Sequence, residues 1–161
     1  MAWGDRFYAK LQAKVEQRVG EPVELIGVGS RCGSMNALIA GTALRGVETA
    51  MGSPIVAGSK SPGGRIQTAE GSKGVRLPMS FIVALTPTSL RIFKWRKTWF
   101  GSKVKKELGA IAREGLRLEV SDRGVVKRFV LTHPDGSAFA FEMTRVKWTT
   151  RFADQLTTAL A

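Results

Sequence analysis

From Phe81 to Met143 the sequence is a series of short runs rich in β-branched and aromatic residues, each closed by turn residues. FIVALT (81–86), then PTS, then LRIFKW (90–95) predicts strand, tight turn, strand. KVKKEL (103–108) alternates Val104 and Leu108 against Lys103, Lys105 and Glu107. LRLEV (116–120) alternates Leu116, Leu118 and Val120 against Arg117 and Glu119. VVKRFVLT (125–132) and SAFAFEM (137–143) continue the pattern across the turn HPDG. Short strands at hairpin spacing constrain a chain to an antiparallel meander. The last segment, VKWTTRFADQLTTALA, sets Trp148, Phe152, Leu156 and Leu160 four residues apart, which predicts an amphipathic helix docked on that sheet.

The first half reads differently. DRFYAKLQAKVEQRV (5–19) holds no Gly or Pro and repeats Phe7, Leu11, Val15 and Val19 at helical spacing, with Asp5 as N-cap. Gly20 and Pro22 end that helix, and VELIGVG (23–29) predicts a strand. Residues 30–78 then form a Gly- and Ala-rich insertion, with a helix expected over 34–51 and a flexible loop over 57–74, where AGSKSPGGRIQTAEGSKG has almost nothing to bury. The 34–51 helix has three places to go: over the open end of the barrel, against a second copy of the chain in a homo-oligomer, or onto a bilayer. At 161 residues with 43% hydrophobic content, one domain spanning 1–161 is expected, its core in 80–160.

FIVALTPTSLRIFKW resembles the hairpin of bacterial pleckstrin-homology-like (PH-like) domains, and LTHPDGSAFAF followed by the terminal helix is similar to their end. The helix before EPV and the Gly- and Ala-rich tract resemble proteins of this type from actinobacteria. The resemblance implies an α+β fold: a PH-like antiparallel β-barrel or meander with a C-terminal capping helix, an N-terminal amphipathic helix and the Gly/Ala-rich insertion. It implies architecture more than activity.

The chain carries 25 Lys and Arg against 13 Asp and Glu, a net charge of +12, so its field gathers polyanions. Seven of those cations fall in RIFKWRKTWFGSKVKK (91–106), which has no acid and interleaves two Trp with two Phe. The expected anion-binding residues are Lys94, Arg96, Lys97, Trp99, Phe100, Lys103, Lys105 and Lys106, with the aromatics at a hairpin tip suited to a lipid–water boundary. In PH domains, basic residues on an early hairpin bind phosphoinositides, and this placement resembles that one. The bland alternative is a core Phe93 and Trp95 with lysines protecting an edge strand. Arg6, Lys10, Lys14 and Arg18 form a second basic ridge on the first helix, read either as the solvated face of a docked helix or as a helix on an anionic membrane.

Catalytic chemistry has little to stand on. Gly27, Gly29 and Gly33 give a loose glycine pattern, but no alternation of strand and helix follows to present a dinucleotide. His133, the single histidine, sits in a turn. Cys32 adjoins Arg31, a neighbour that would weakly activate its thiolate, yet no base is near in sequence. Glu114, Glu119, Asp122 and Asp135 are scattered, and no His, Cys, Asp or Glu cluster has metal-ligand spacing. The expectation is a binding module, not an enzyme, with no catalytic residue, metal or cofactor. Its partner is an acidic lipid headgroup or acidic protein surface. A nucleic acid, stacking bases on the aromatics of 91–106, and a structural protein-docking role are the alternatives. The lone Cys32, the absence of a leader in MAWGDRFYAK and of any transmembrane stretch predict a cytoplasmic protein, peripheral at the inner face of the membrane.

Overall fold

The computed structural model describes residues 3–32, 65–66, 75–136 and 138–161. In chain order the elements are α1 (Trp3–Val19), β1 (Leu25–Ser30), β2 (Arg65–Ile66), β3 (Val75–Arg76), β4 (Ser80–Leu85), β5 (Ser89–Thr98), β6 (Gly101–Ala112), β7 (Arg117–Arg123), β8 (Val126–Thr132), β9 (Ala138–Thr144) and α2 (Lys147–Leu160). Seven strands form one sheet in the order β6-β5-β4-β1-β9-β8-β7, every pairing antiparallel. β6 and β7 are its two edges, and the first long strand pairs with the last through Ser30 and Glu142. The fold is therefore α+β, an antiparallel meander with two helices.

Leu108 and Ile111 from one edge strand and Leu118 and Val120 from the other belong to the same apolar cluster, so the sheet curls around a single interior. α2 fills that interior with Phe152, Ala153 and Leu156, because its four-residue repeat puts them on one face. The rings pack by their quadrupoles: Phe129 and Phe141 stack at 4.7 Å, and Phe81 meets Phe139 edge-on at 5.6 Å. Gly27 and Gly29 make room for this packing. A Cβ on Gly27 would lie 2.8 Å from the Phe152 ring, and one on Gly29 2.8 Å from the Phe141 ring. Close approach of aromatics, rather than a phosphate, accounts for the glycines of β1.

The outer face of β1, β4 and β5 is covered in turn by α1, whose Leu11 and Val15 pack on Ile26, Ile82, Ala84 and Phe93. β4 and the inner half of β5 are thus buried on both sides, which is why their sequences read as apolar runs without alternation. Tyr8 stacks on Trp148 at 4.1 Å and joins the two helices.

Several expectations are corrected. α1 begins at Trp3, so Asp5 lies within its first turn and faces Arg151 at 3.8 Å instead of capping it. The 57–74 stretch is not loop throughout, since Arg65–Ile66 pairs with Val75–Arg76 in a short ribbon. Val104 and Leu108 do not share a face. The register slips twice between Ile92 and Trp95, each time by one extra residue on β6, so Val104 joins the α1 cluster and Leu108 the inner one. The 34–51 segment lies outside the described residues. Among the described residues no helix is long and apolar enough to cross a membrane.

Candidate functional site: the β5–β6 hairpin

β4 accompanies β5 only as far as the pair Phe81 and Lys94, whereas β5 runs on to Thr98 and returns as β6 from Gly101. Residues 95–104 therefore extend past the sheet as a two-stranded ribbon, supported on one side where Phe7 of α1 meets Trp95 with ring centroids 6.1 Å apart. Thr98 pairs with Gly101, leaving Trp99 and Phe100 as a two-residue turn. They are 93% and 97% exposed, against 1% for Phe93 in the same hairpin.

Register distributes the cations. Arg96 stands directly opposite Lys103, so both side chains project from the same face of the ribbon. Lys97 stands opposite Ser102, on the face that Trp95 and Val104 turn toward α1. Lys94, Arg96, Lys97, Lys103 and Lys106 are exposed and Lys105 half-buried. Among the described residues none of the six is in an ion pair. The seventh cation of the sequence cluster, Arg91, is held by Glu21 at 3.1 Å and Glu107 at 3.3 Å and stays with the fold. Phe93 and Trp95 belong to the packing: Trp95 sits in the α1 cluster, and its Nε1–H donates to Ser80 Oγ at 2.9 Å.

The second basic ridge lies beside the first. Arg6, Lys10, Lys14 and Arg18 are all exposed, while the apolar ridge next to them is spent on the sheet and is not free to lie on a bilayer. Lys14 Nζ donates to Ser102 O at 2.5 Å and Arg18 Nη1 to Val104 O at 3.4 Å. Two basic regions far apart in the chain are joined at the β6 edge, and Ser102 and Gln17, which the sequence reading did not single out, line the space between them.

Of the remaining candidates, His133 and Asp122 are engaged in local contacts. Nε2 of His133 lies 2.6 Å from the carbonyl of Glu114, and Nδ1 accepts from the Asp135 N–H at 3.1 Å, so the ring ties its own turn to the β6–β7 connection. Cys32 is not activated: burial pushes its thiol up to about 11, and the guanidinium that pulls the other way is that of Arg128, not Arg31. Asp122 is held by Lys127 at 2.7 Å. No group of three His, Cys, Asp or Glu capable of holding a metal occurs among the described residues. No family model, no curated protein and no solved structure matches this chain.

Proposed function

We propose that this chain is a PH-like binding module whose β5–β6 hairpin docks on an anionic membrane surface, peripherally and from the cytoplasmic side. The PH-like reading draws its support from the meander with its first and last strands paired and the C-terminal helix seated in the core. The observation that carries the docking reading is the tip: two adjacent aromatics in solvent at the end of a ribbon carrying six cations with no carboxylate among the described residues to neutralise them. Water-exposed rings of this size are unfavourable unless something covers them, and a Trp is at home in the headgroup region. Each cation near an anionic surface contributes about 1 kcal/mol, screened within a Debye length. A base-stacking platform would need rings lying free on the ribbon face beside the cations, whereas Trp95, the ring so placed, is packed under α1.

Co-sedimentation with liposomes tests the reading. Binding is expected with anionic lipid, to weaken with salt, and to be lost when Arg96, Lys97 and Lys103 are each changed to Glu. Binding indifferent to lipid charge ends it. A fluorescent oligonucleotide bound with a steep salt slope would move the assignment to nucleic acid, and salt-insensitive capture of a protein to a docking module.

A further inference from the structure

Lys14 and Arg18 do more than add charge. β6 is an edge strand, and the Ser102 and Val104 carbonyls that accept from them are edge groups without a neighbouring strand. Those bonds fix two cations, one helical turn apart, over one short stretch of strand. Between them lies a groove of 310 Å³ lined by Lys14, Gln17, Arg18, Ser102, Lys103 and Val104. Lys97 stands across from Ser102 on the same side of the ribbon. Among the described residues no carboxylate lines this groove.

Like charges gathered in this way repel, and no carboxylate among the described residues forms an ion pair with them. They also retain most of their hydrogen-bonding capacity: an ammonium has three donors and a guanidinium five, and each spends one here. The Ser102 hydroxyl and the Gln17 amide, which make no hydrogen bond among the described residues, add neutral donors to the same walls. A tetrahedral dianion with three terminal oxygens matches this set, since it meets two cations at once and accepts the planar fork of an arginine.

We infer that the groove between α1 and the β6 edge binds a phosphomonoester. It takes the dianion in preference to a phosphodiester, which carries one charge and fewer free oxygens. The inference rests on the membrane reading only for the source of the phosphate. Ser102 is two residues from Phe100, roughly 7 Å along the strand at about 3.3 Å per residue. A tip seated at the lipid boundary therefore holds the groove at headgroup level.

The test uses the full chain and two kinds of probe. The first is soluble glycerol 3-phosphate, read as a shift in melting temperature against sodium chloride at equal ionic strength. The second is phosphatidylcholine vesicles doped with phosphatidic acid or, at equal surface charge, phosphatidylglycerol. The ester is expected to raise the melting temperature, and phosphatidic acid vesicles to bind roughly tenfold more tightly than phosphatidylglycerol vesicles, the gain of one well-made charge-assisted contact.

Gln17→Glu, which puts a carboxylate into the groove from an exposed helix position, is expected to abolish both effects while weakening binding to phosphatidylglycerol vesicles by no more than about fivefold, the loss of one unit of positive charge near an anionic surface. Lys14→Gln with Arg18→Gln is expected to abolish the ester-induced shift and the preference for phosphatidic acid as well, while weakening binding to both vesicle types by roughly thirtyfold, because two cations are lost near an anionic surface. A vesicle preference without a soluble shift assigns a lipid headgroup, a soluble shift without a vesicle preference assigns a free phosphate ester, and either supports the site. Equal binding of the two vesicle types together with no ester-induced shift overturns it, as does full retention of both effects in Gln17→Glu. An ester-induced shift with no binding to any vesicle overturns the membrane reading alone.

Discussion

Two hairpins of one sheet solve the same local problem in opposite ways. In β7–β8 the turn is Gly124-Val125, with Gly124 at φ 61°, and the rung behind it sets Asp122 across from Lys127, Nζ to Oδ1 2.7 Å. Opposite charges face each other and a glycine takes the left-handed conformation, both of which stabilise a hairpin in isolation. In β5–β6 the turn is Trp99-Phe100 and the third pair from it sets Arg96 across from Lys103. Two-residue turns favour Asn, Asp and Gly, and like charges directly opposite one another are destabilising, so both choices oppose the local preference. The first hairpin is arranged for its own stability, whereas the second carries locally unfavourable features, which the proposed anionic surface would offset.

The widest gap should appear within β5–β6 itself. Phe93→Ala empties a site packed on both sides and is expected to remove about 3–5 kcal/mol in urea unfolding, whereas Phe100→Ala should stay within roughly 0.5 kcal/mol. Equal losses would mean the tip is packed after all. Next in size is the turn. Replacing Trp99-Phe100 by Asn-Gly is expected to lower anionic-vesicle affinity by roughly tenfold or more while the melting temperature holds or rises, because the ring area is lost to lipid and the turn gains its preferred residues. A drop in both would make the aromatics structural.

Smaller still is Arg96→Glu, which places an acid opposite Lys103 and should stabilise the fold by about 0.2–1 kcal/mol, even as it weakens vesicle binding. Destabilisation there would show that an unseen neighbour already balances Arg96.

The least effect belongs to the other hairpin. The hydrogen bond from Lys127, aided by the charges of Lys127 and Arg145, holds the Asp122 carboxyl below the usual aspartate range. A carboxyl depressed in the folded state lends stability above its unfolded value and loses it as the pH falls through the folded one. Asp122→Asn should therefore flatten a small part of the acid-side fall in melting temperature below about pH 4, and only slightly, because the pair is exposed to solvent. An NMR titration of Asp122 with an ordinary aspartate midpoint would break the contrast between the hairpins.

The strands from Phe81 onward and both helices were legible because their periodicities are local. The helical repeat of Phe7, Leu11 and Val15 and that of Phe152 and Leu156 needed no knowledge of what they pack on. The tip aromatics were legible for a similar reason, since a turn between two strands throws its residues outward. KVKKEL misled, because its alternation presumed a regular ladder and two bulges re-aimed Leu108. The glycines of GVG were set aside as a dinucleotide loop, but what they are for could not be read without the Phe141 and Phe152 rings that need their space. Nothing local marked Gln17 or Ser102, which acquire meaning only where a helix crosses an edge strand.

By itself the sequence determined an antiparallel meander with an amphipathic helix at each end, a surplus of positive charge, and the clustering of that charge with aromatics in one hairpin. Those follow from period, turn chemistry and composition, which act between near neighbours in the chain. Only the tertiary structure decided which cations are neutralised, since Arg91 is held by acids that packing delivers from α1's exit and from β6. It likewise decided which aromatics are core and which are exposed, and that Lys14 and Arg18 meet Ser102 and Val104. Pairing and burial depend on distances between segments remote in sequence, and those distances exist only once the sheet has curled and the helix has docked.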